Sequence, residues 1–393
     1  MDLPICRKLF ITNLISYFFL NYKYTLMDIK KLTVGIEEEY QVINPETGEL
    51  TSYIAEFLER DAVLFKDSMV PEFLQSQLEV TSKVCKNIKQ ARKEVIRLRK
   101  IASKFAQENN CNIIAAGTHP YSRWEDQVRT DKERYRGLYD TMQFVSKRLL
   151  IFGMHIHIGI PDRDLRIDVM NQMRYFVPHI LSLSTSSPFW QGEDTGFKSY
   201  RGIVFEDLPR TGIPEKFSSA KSYDKFVNQL METKCIDTPS KIWWDIRPHS
   251  KFPTVEFRMC DSTTKVDEVI AIAALIQALV ATMILNRERN ISWRDYRDSF
   301  IYENKWRSMR HGIEGKMIDL GLTKELSSKK LIKEMIELVD ESAEILGTQE
   351  EIAYINTILK EGTSADRQLN MYKKTKDLHK VVEMLSKETL EHC

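Results

Sequence analysis

Five short segments of the chain alternate between apolar and polar residues with a period of two. A β-strand turns successive side chains to opposite faces at that spacing. In the first segment Val34, Ile36, Tyr40 and Val42 share one side, and Gly35, Glu37, Glu39 and Gln41 share the other. The second sets Leu78 and Val80 against Gln77, Glu79 and Thr81, and the third sets Met154, Ile156 and Ile158 against Gly153, His155, His157 and Gly159. Trp244 and Ile246 then oppose Asp245 and Arg247, and Val255, Phe257 and Met259 oppose Thr254, Glu256 and Arg258. Strands that face solvent favour Thr, Lys and Ser, whereas these polar sides collect carboxylates, imidazoles and arginines. The pattern predicts a curved sheet with its apolar face on the core and its polar face lining a cavity that holds cations. Glu38 falls on the apolar side; buried there, it needs a partner and is no ligand.

Between these segments the period changes to that of a helix. Ile88, Ala91, Val95, Leu98, Ile101 and Phe105 predict a long helix over 86–109, followed by a short strand over 112–116. The charged, aromatic stretch 121–139 has no clean period and reads as a loop or lid. Helices are expected near 138–150 and 164–186. The segment 187–212 holds four glycines and two prolines and reads as a long functional loop. Strands near 242–247 and 253–260 precede an apolar helix over 266–286. From about 291 the chain reads as helical, through 324–346, 350–360 and 365–387. Strands alternating with helices, and a helical C-terminal part, give the α+β class with one catalytic domain.

Composition narrows the field. With 57 basic and 56 acidic residues in 393, nothing marks a nucleic-acid or acidic-membrane partner. The six cysteines are scattered without a CxxC pair, which fits reduced thiols and a cytoplasmic protein rather than a disulfide scaffold or zinc site. Leu9 to Leu20 follows Arg7 and Lys8 in the outline of a signal peptide, but Thr12, Asn13 and Ser16 interrupt it. It reads as a dispensable leader (1–26), with Met27 as the start and 27–393 as a single domain. Val269 to Leu285 falls short of the roughly 20 residues of a spanning helix and contains Gln277 and Thr282, so it reads as a buried helix.

The polar faces carry the chemistry. Glu37 and Glu39 are two apart on one strand, which places their carboxylates roughly 7 Å apart and can seat two divalent cations. Solvated surface glutamates show the same spacing. His155 and His157 are a ligand pair or two hydrogen-bonded structural histidines. Glu256 and Arg258 are an ion pair within one strand, or a metal carboxylate beside a guanidinium that grips phosphate. Oxygen ligands with one imidazole or two suit Mg²⁺ or Mn²⁺, and such ions commonly accompany phosphate. No G-x-x-x-x-G-K-[ST] loop and no G-x-G-x-x-G turn is present, so a nucleotide would be held by metals and arginines.

Longer motifs point to one family. Gly35-Ile36-Glu37-Glu38-Glu39-Tyr40, Gln75-Ser76-Gln77-Leu78-Glu79-Val80-Thr81, Gly117-Thr118-His119-Pro120 and Gly153-Met154-His155-Ile156-His157-Ile158-Gly159 resemble the YbdK-type carboxylate–amine ligases, or glutamate–cysteine ligase type 2. So do Ser187-Pro188-Phe189-Trp190, Asp194-Thr195-Gly196, Trp243-Trp244-Asp245-Ile246-Arg247-Pro248, Thr254-Val255-Glu256-Phe257-Arg258, Asn304-Lys305-Trp306-Arg307 and Gly362-Thr363-Ser364-Ala365-Asp366-Arg367-Gln368. They run in family order from about 33 to 370, and only the leader departs. The resemblance implies a glutamine-synthetase-like catalytic domain, a curved antiparallel sheet covered by helices, holding ATP, Mg²⁺ or Mn²⁺ and an amino acid. It places Glu37, Glu39, Glu79, His155 and Glu256 as metal ligands and Arg258 as a phosphate- or substrate-binding arginine, and ranks His157 below His155.

The activity this implies is ATP-dependent joining of the γ-carboxylate of L-glutamate to the amine of L-cysteine, through an acyl phosphate. Glu256 and Arg258 are the expected catalytic pair, and Arg247, Arg201 and Arg310 are further candidates for phosphate or the substrate α-carboxylate. The same chemistry on another acid or amine is the alternative, as is a metal-dependent amide hydrolase using His155 and His157. The expected partners are small amino acids, with no nucleic acid and no membrane; a homodimer is compatible. Glutamates facing one cavity also repel, so each should hold its proton more tightly when no cation is bound.

Overall fold

The computed structural model describes residues 27–52 and 68–393, and the leader lies outside them. Its centre is a seven-stranded antiparallel sheet of β1 (Val34–Ile43), β2 (Met69–Pro71), β3 (Gln77–Thr81), β4 (Asn112–Ile114), β5 (Gly153–Gly159), β6 (Ile246–Pro248) and β7 (Thr254–Asp261). The order is β6-β7-β5-β1-β3-β2, with β4 beside the C-terminal end of β1. Alternation sets the faces: Val34, Ile36, Tyr40 and Val42 are buried on β1 while Glu37 and Glu39 keep partial exposure.

Four helices, α1 (Ile88–Glu108), α2 (Arg163–Met173), α3 (Ala220–Glu232) and α4 (Val266–Glu288), contribute to the core. The Asn87 side chain caps α1 by accepting from the Gln90 backbone N–H at 3.0 Å. Its buried stripe passes through Leu98, Ala102 and Phe105, leaving Ile101 half-buried and placing Arg99 inside. Helix α4 is apolar on every side, as a fully enclosed helix must be. Its most apolar window is 94 % buried, which assigns it to the core although length and composition alone would let it span a membrane. Of the two polar side chains that interrupt it, Gln277 donates to the Leu32 carbonyl at 2.8 Å and Thr282 to the Ala278 carbonyl at 2.9 Å, while Gln277 Oε1 has no hydrogen-bond partner among the described residues.

Several elements differ from the expected ones. A helix over Glu133–Met142 occupies the end of the stretch read as a loop, and only Phe144–Lys147 is α-helical in the rest of 138–150. The predicted helix 164–186 is broken by a 3₁₀ turn at Arg174–Phe176, and Pro178 starts the next helix, Val177–Leu183, at a position where its missing N–H costs nothing. The long segment 187–212 contains a small hairpin (Phe189–Trp190 with Glu193–Asp194) and a helix, Tyr200–Phe205. Within the helical C-terminal part, Lys316–Asp319 and Lys324–Ser327 pair as a hairpin; four-residue strands are too short to leave a period.

Candidate active site

Strand register joins polar residues of all five segments into one patch, except that the expected strand 242–247 splits: Trp243–Trp244 pairs with Thr211–Gly212, and Asp245 leaves the patch to pair with Lys305 Nζ at 2.8 Å. Glu39 lies opposite Glu79, and Glu37 opposite both Thr81 and His155. His157 lies opposite Glu256, and Glu256 opposite Arg247. After Phe257 a bulge shifts the register. Met259 and Cys260 therefore both reach the core, and Asp261 turns back to accept from Ser186 N, Ser187 Oγ and Ser199 Oγ at 2.8, 2.7 and 2.8 Å. The patch forms one wall of a cavity of about 400 Å³ lined by Glu37, Glu39, Glu79, His155, Glu256, Arg258, Arg247 and Arg201.

One end of the patch is charge-compensated. Arg258 Nη1 donates to Glu256 Oε1 at 2.5 Å, and Arg247 Nε donates to Oε2 at 2.7 Å. Arg247 is itself held by the carbonyls of Ser240 and Ile242, at 3.0 and 2.5 Å. Burial pushes the Glu256 carboxyl up, but the two guanidiniums outweigh it and hold the group well below the usual range. Two cations on one carboxylate leave a net positive charge, which an anionic ligand would neutralise.

The two histidines divide the next part of the site. His155 Nδ1 lies 3.1 Å from Glu37 Oε2, and its buried Nε2 has no hydrogen-bond partner among the described residues. Burial, aided by Arg258, lowers the His155 pKa to about 4, so the ring is neutral near pH 7. A neutral ring that donates from Nδ1 to a carboxylate has a lone pair on Nε2, the arrangement of a metal-binding imidazole. His157 Nδ1 contacts Thr254 Oγ1 at 3.0 Å, and its Nε2 lies 3.3 Å from Glu37 Oε1 without hydrogen-bond alignment. Burial raises the proton affinity of Glu37, but the imidazoles of His155 and His157 outweigh it and hold the carboxylate ionised.

Glu37, His157 and Glu256 bring their ligand atoms within 4.8 Å of one another. His157, ranked second in the sequence, thus shares a potential metal group among the described residues, while His155 offers an orphaned nitrogen beside it. Direct cross-strand register of His157 with Glu256 accounts for this. The donor set, two carboxylates and an imidazole, fits a hard divalent cation.

The other end of the patch has the opposite electrostatics. Burial raises Glu39 to about 7, with Glu72 adding to the rise and Arg201 opposing it. Glu39 Oε2 accepts the Gly153 N–H at 2.5 Å. Glu79 is raised well above its ordinary value by burial and by the charges of Glu72, Glu37 and Glu39. The expected rise in proton affinity therefore occurs at Glu39 and Glu79, with burial its largest cause and like charge a smaller one, but not at Glu37 and Glu256, which are compensated. Glu72 joins this acidic end from just after β2, a three-residue strand. No periodicity marks Glu72; its only signal is a position seven residues before Glu79.

Two further arginines separate. Arg201 reaches the cavity wall, where its buried guanidinium contacts the carbonyls of Met259 and Arg258 at 3.4 and 3.3 Å. Arg310 is not brought to this cavity: it donates to the Gly196 carbonyl and lies over the Phe197 ring, 5.7 Å from its centroid. Its place at the end of helix Asp298–His311 sets it there. The Gly362–Gln368 motif also lies elsewhere. Ser364 Oγ meets Ser186 Oγ at 2.9 Å and Thr264 Oγ1 at 2.5 Å, and Gln368 donates to the Ser186 carbonyl at 3.0 Å. It fastens the C-terminal helices to the end of β7.

Comparison with known proteins bears on the family and the fold. The family model described as glutamate-cysteine ligase family 2 (GCS2) matches residues 33–384. Proteins named "Putative glutamate--cysteine ligase 2" from Chloroflexus aggregans and Roseiflexus castenholzii are 49 % and 50 % identical over 91 % of this chain, covering 92 % and 95 % of their own lengths. Among solved structures, a glutamate–cysteine ligase from Francisella tularensis in complex with AMP superposes with a TM-score of 0.68 at 15 % identity, covering 92 % of this chain and 89 % of that one. A bifunctional glutathione synthetase from Pasteurella multocida gives 0.66 at 14 % identity, covering 93 % of this chain and 53 % of that one.

Proposed function

Because this chain belongs to glutamate–cysteine ligase family 2, we propose that its cavity joins the γ-carboxylate of L-glutamate to the amine of L-cysteine at the expense of ATP. The observation that carries this reading is the pairing of Arg247 and Arg258 on one buried carboxylate, beside the ligand-spaced group of Glu37, His157 and Glu256. A carboxylate is a poor electrophile. Its oxygen attacks the γ-phosphorus of ATP, ADP leaves, and the acyl phosphate loses inorganic phosphate when the amine attacks the acyl carbon and sheds a proton. This sequence asks a protein for positioning and charge neutralisation rather than a nucleophile.

The residues divide that work. Arg258, anchored by Glu256, presents positive charge to the transferring phosphoryl group, and Arg201 does the same beside Glu39. Glu37, His157 and Glu256, with His155 Nε2 beside them, and Glu39, Glu72 and Glu79 at the other end would hold Mg²⁺ or Mn²⁺, which would supply charge neutralisation to the phosphates and the substrate carboxylate. Glu37 and Glu256 are ionised in advance, so no proton must leave them on binding. Glu39 and Glu79 must release theirs.

One observation favours a broader amine. The cavity is also walled by Phe73, Leu149, Phe205, Leu208 and Trp243, which would accept a side chain larger and less polar than that of cysteine. The test is hydroxylamine as the amine: ATP, Mg²⁺, glutamate and hydroxylamine should yield the γ-hydroxamate with ADP. ADP release without hydroxamate, across glutamate and related acids, would contradict the acyl-phosphate route. The cysteine assignment would give way if amines with apolar side chains outpaced cysteine.

A further inference from the structure

One buried lysine joins helix Asp298–His311 to the segments that carry the site's arginines. Lys305 is 3 % exposed and belongs to the motif 304–307, whose side chains do not line the catalytic cavity. Its Nζ lies 3.0 and 2.8 Å from Asp245 Oδ1 and Oδ2, and 2.9 Å from Glu206 Oε1. Burial works against the ammonium, but Asp245 and Glu206 outweigh it and raise the Lys305 pKa. Hydrophobic residues of similar volume often stabilise such a position as well or better. Fold stability alone is therefore a weak reason for a charged residue here.

Both of its partners lead to the cavity. Asp245 stands just before β6 and Arg247, and its carbonyl accepts the Arg258 backbone N–H at 2.7 Å. That bond falls at the bulge, where Arg258 has no register partner on β5. Glu206 follows directly on helix Tyr200–Phe205, and its N–H donates to the Gly202 carbonyl at 3.1 Å. That helix brings Arg201 and Phe205 to the cavity wall. Arg201 Nε has no partner among the described residues, so the aim of this guanidinium depends on where its helix is set. The helix of Lys305 sets it at the other end too: the Met309 carbonyl accepts the N–H groups of Lys198 and Ser199 at 2.7 and 3.0 Å. A Cβ on Gly202 would strike Met309 Sδ, so glycine permits this close approach. Lys305 thus bridges the segment of Arg201 to the segments of Arg247 and Arg258.

We propose that Lys305 is a positioning residue for phosphoryl transfer, fixing through Asp245 and Glu206 the spacing between Arg258 and Arg201. The proposal rests on the ATP-dependent ligase reading above. Lys305 touches no substrate, so its loss removes no binding contact. It loosens the aim of two guanidiniums whose work is done in the transition state. Turnover should suffer and substrate binding should not.

The experiment compares full-length wild type, Lys305→Met and Arg99→Met with ATP, Mg²⁺, glutamate and hydroxylamine, well below each melting temperature. Hydroxamate and ADP are followed together. Lys305→Met should lower kcat per folded molecule by roughly tenfold to a hundredfold, with KM for ATP changed less than about threefold. Arg99→Met destabilises the core face of the sheet and controls for stability alone; its kcat should stay near wild type. A Lys305→Met kcat equal to wild type, or lowered no more than that of Arg99→Met, overturns the proposal, as does a rise in KM alone. If Lys305→Met does not fold, Glu206→Gln decides, because Lys305 then keeps Asp245. A kcat lowered about threefold to tenfold supports the role, and an unchanged one overturns it. Wild type that forms no hydroxamate overturns the ligase reading and the role with it. Hydroxamate formed equally by wild type and Lys305→Met leaves the reading standing without the role.

Discussion

Glu38 and its neighbours Glu37 and Glu39 are one residue apart, yet β1 turns them to opposite faces with opposite consequences. On the core face Glu38 is fully partnered: Arg99 donates from Nη2 at 2.5 Å, and Tyr40 donates its hydroxyl at 2.8 Å. Arg99 is satisfied in turn by the carbonyls of Thr263 and Thr389 at 2.9 Å each, and by that of Thr264. On the cavity face, burial and like charge keep protons on Glu39 and Glu79, and His155 Nε2 has no hydrogen-bond partner among the described residues. One buried network is closed and the other is open. Open polar groups in a buried site cost stability unless something binds them, so the difference separates what holds the fold from what awaits a ligand.

The largest effect should come from the cavity side. Glu256→Gln should cut turnover by about a thousandfold or more, roughly 4 kcal/mol of barrier, by releasing Arg258 and Arg247 and weakening cation binding. It should also destabilise the protein, because it strips two buried guanidiniums of their counter-charge. Glu79→Gln should lose turnover to a similar degree yet gain stability without metal, since the buried carboxyl must take up a proton on folding and the neutral amide need not. Steady-state rates with parallel melting curves distinguish the two, and equal stability losses would break the division between the compensated and repelling ends.

On the core side the pattern should invert. Arg99→Met leaves Glu38 buried without its cation and should cost about 3–5 kcal/mol in denaturant unfolding. Activity per folded molecule should stay near wild type. A variant of normal stability with lost turnover would mean that Glu38 and Arg99 belong to the site.

The pH dependence of the metal-free protein offers a finer separation. Glu39 has a folded value near 7 against an unfolded value near 4.5. Its contribution to stability is therefore full below about 4.5 and is lost as pH rises through 7. The Glu39 share should fall across that window by about 3 kcal/mol, at roughly 1.4 kcal/mol per pH unit. The histidines His119, His155, His179 and His249, lowered by burial, add stability as pH rises, so the readout is the difference between wild type and Glu39→Gln. Glu37 and Glu256 are shifted downward, so their contributions are present above the usual carboxylate range and are lost only as pH falls below it. A wild-type stability that does not fall relative to Glu39→Gln between pH 5 and 7 would contradict the assignment of the acidic end.

The closed and open faces were unequally legible in the sequence. A period of two was enough to separate Glu37 and Glu39 from Glu38, because strand geometry leaves no other arrangement for alternating side chains. The identity of Glu38's partner was not readable: Arg99 looks like any other basic residue on a long helix until the helix is laid against the sheet. Glu72 escaped for a related reason, since a three-residue strand and its loop have no period to reveal. The prominence of His157 depends on cross-strand register with Glu256, which no local pattern encodes. Arg310 illustrates the limit in the other direction, because a residue type suited to phosphate says nothing about where its helix packs. The Gly362–Gln368 motif is conspicuous in the sequence, but its hydrogen bonds fasten the C-terminal helices and none reaches the cavity.

The most direct test of the two-face account is the Mn²⁺-induced shift in unfolding free energy, measured on wild type, Glu37→Gln and Glu38→Gln. Cations that bind only the folded state should stabilise wild type by about 2.7 kcal/mol at a hundredfold excess over the dissociation constant. Glu37→Gln should lose more than half of that gain. Glu38→Gln should start less stable and still show it. If Glu38→Gln abolishes the Mn²⁺ response while Glu37→Gln retains it, or if wild type shows none, the cavity face of β1 is not the metal-binding face.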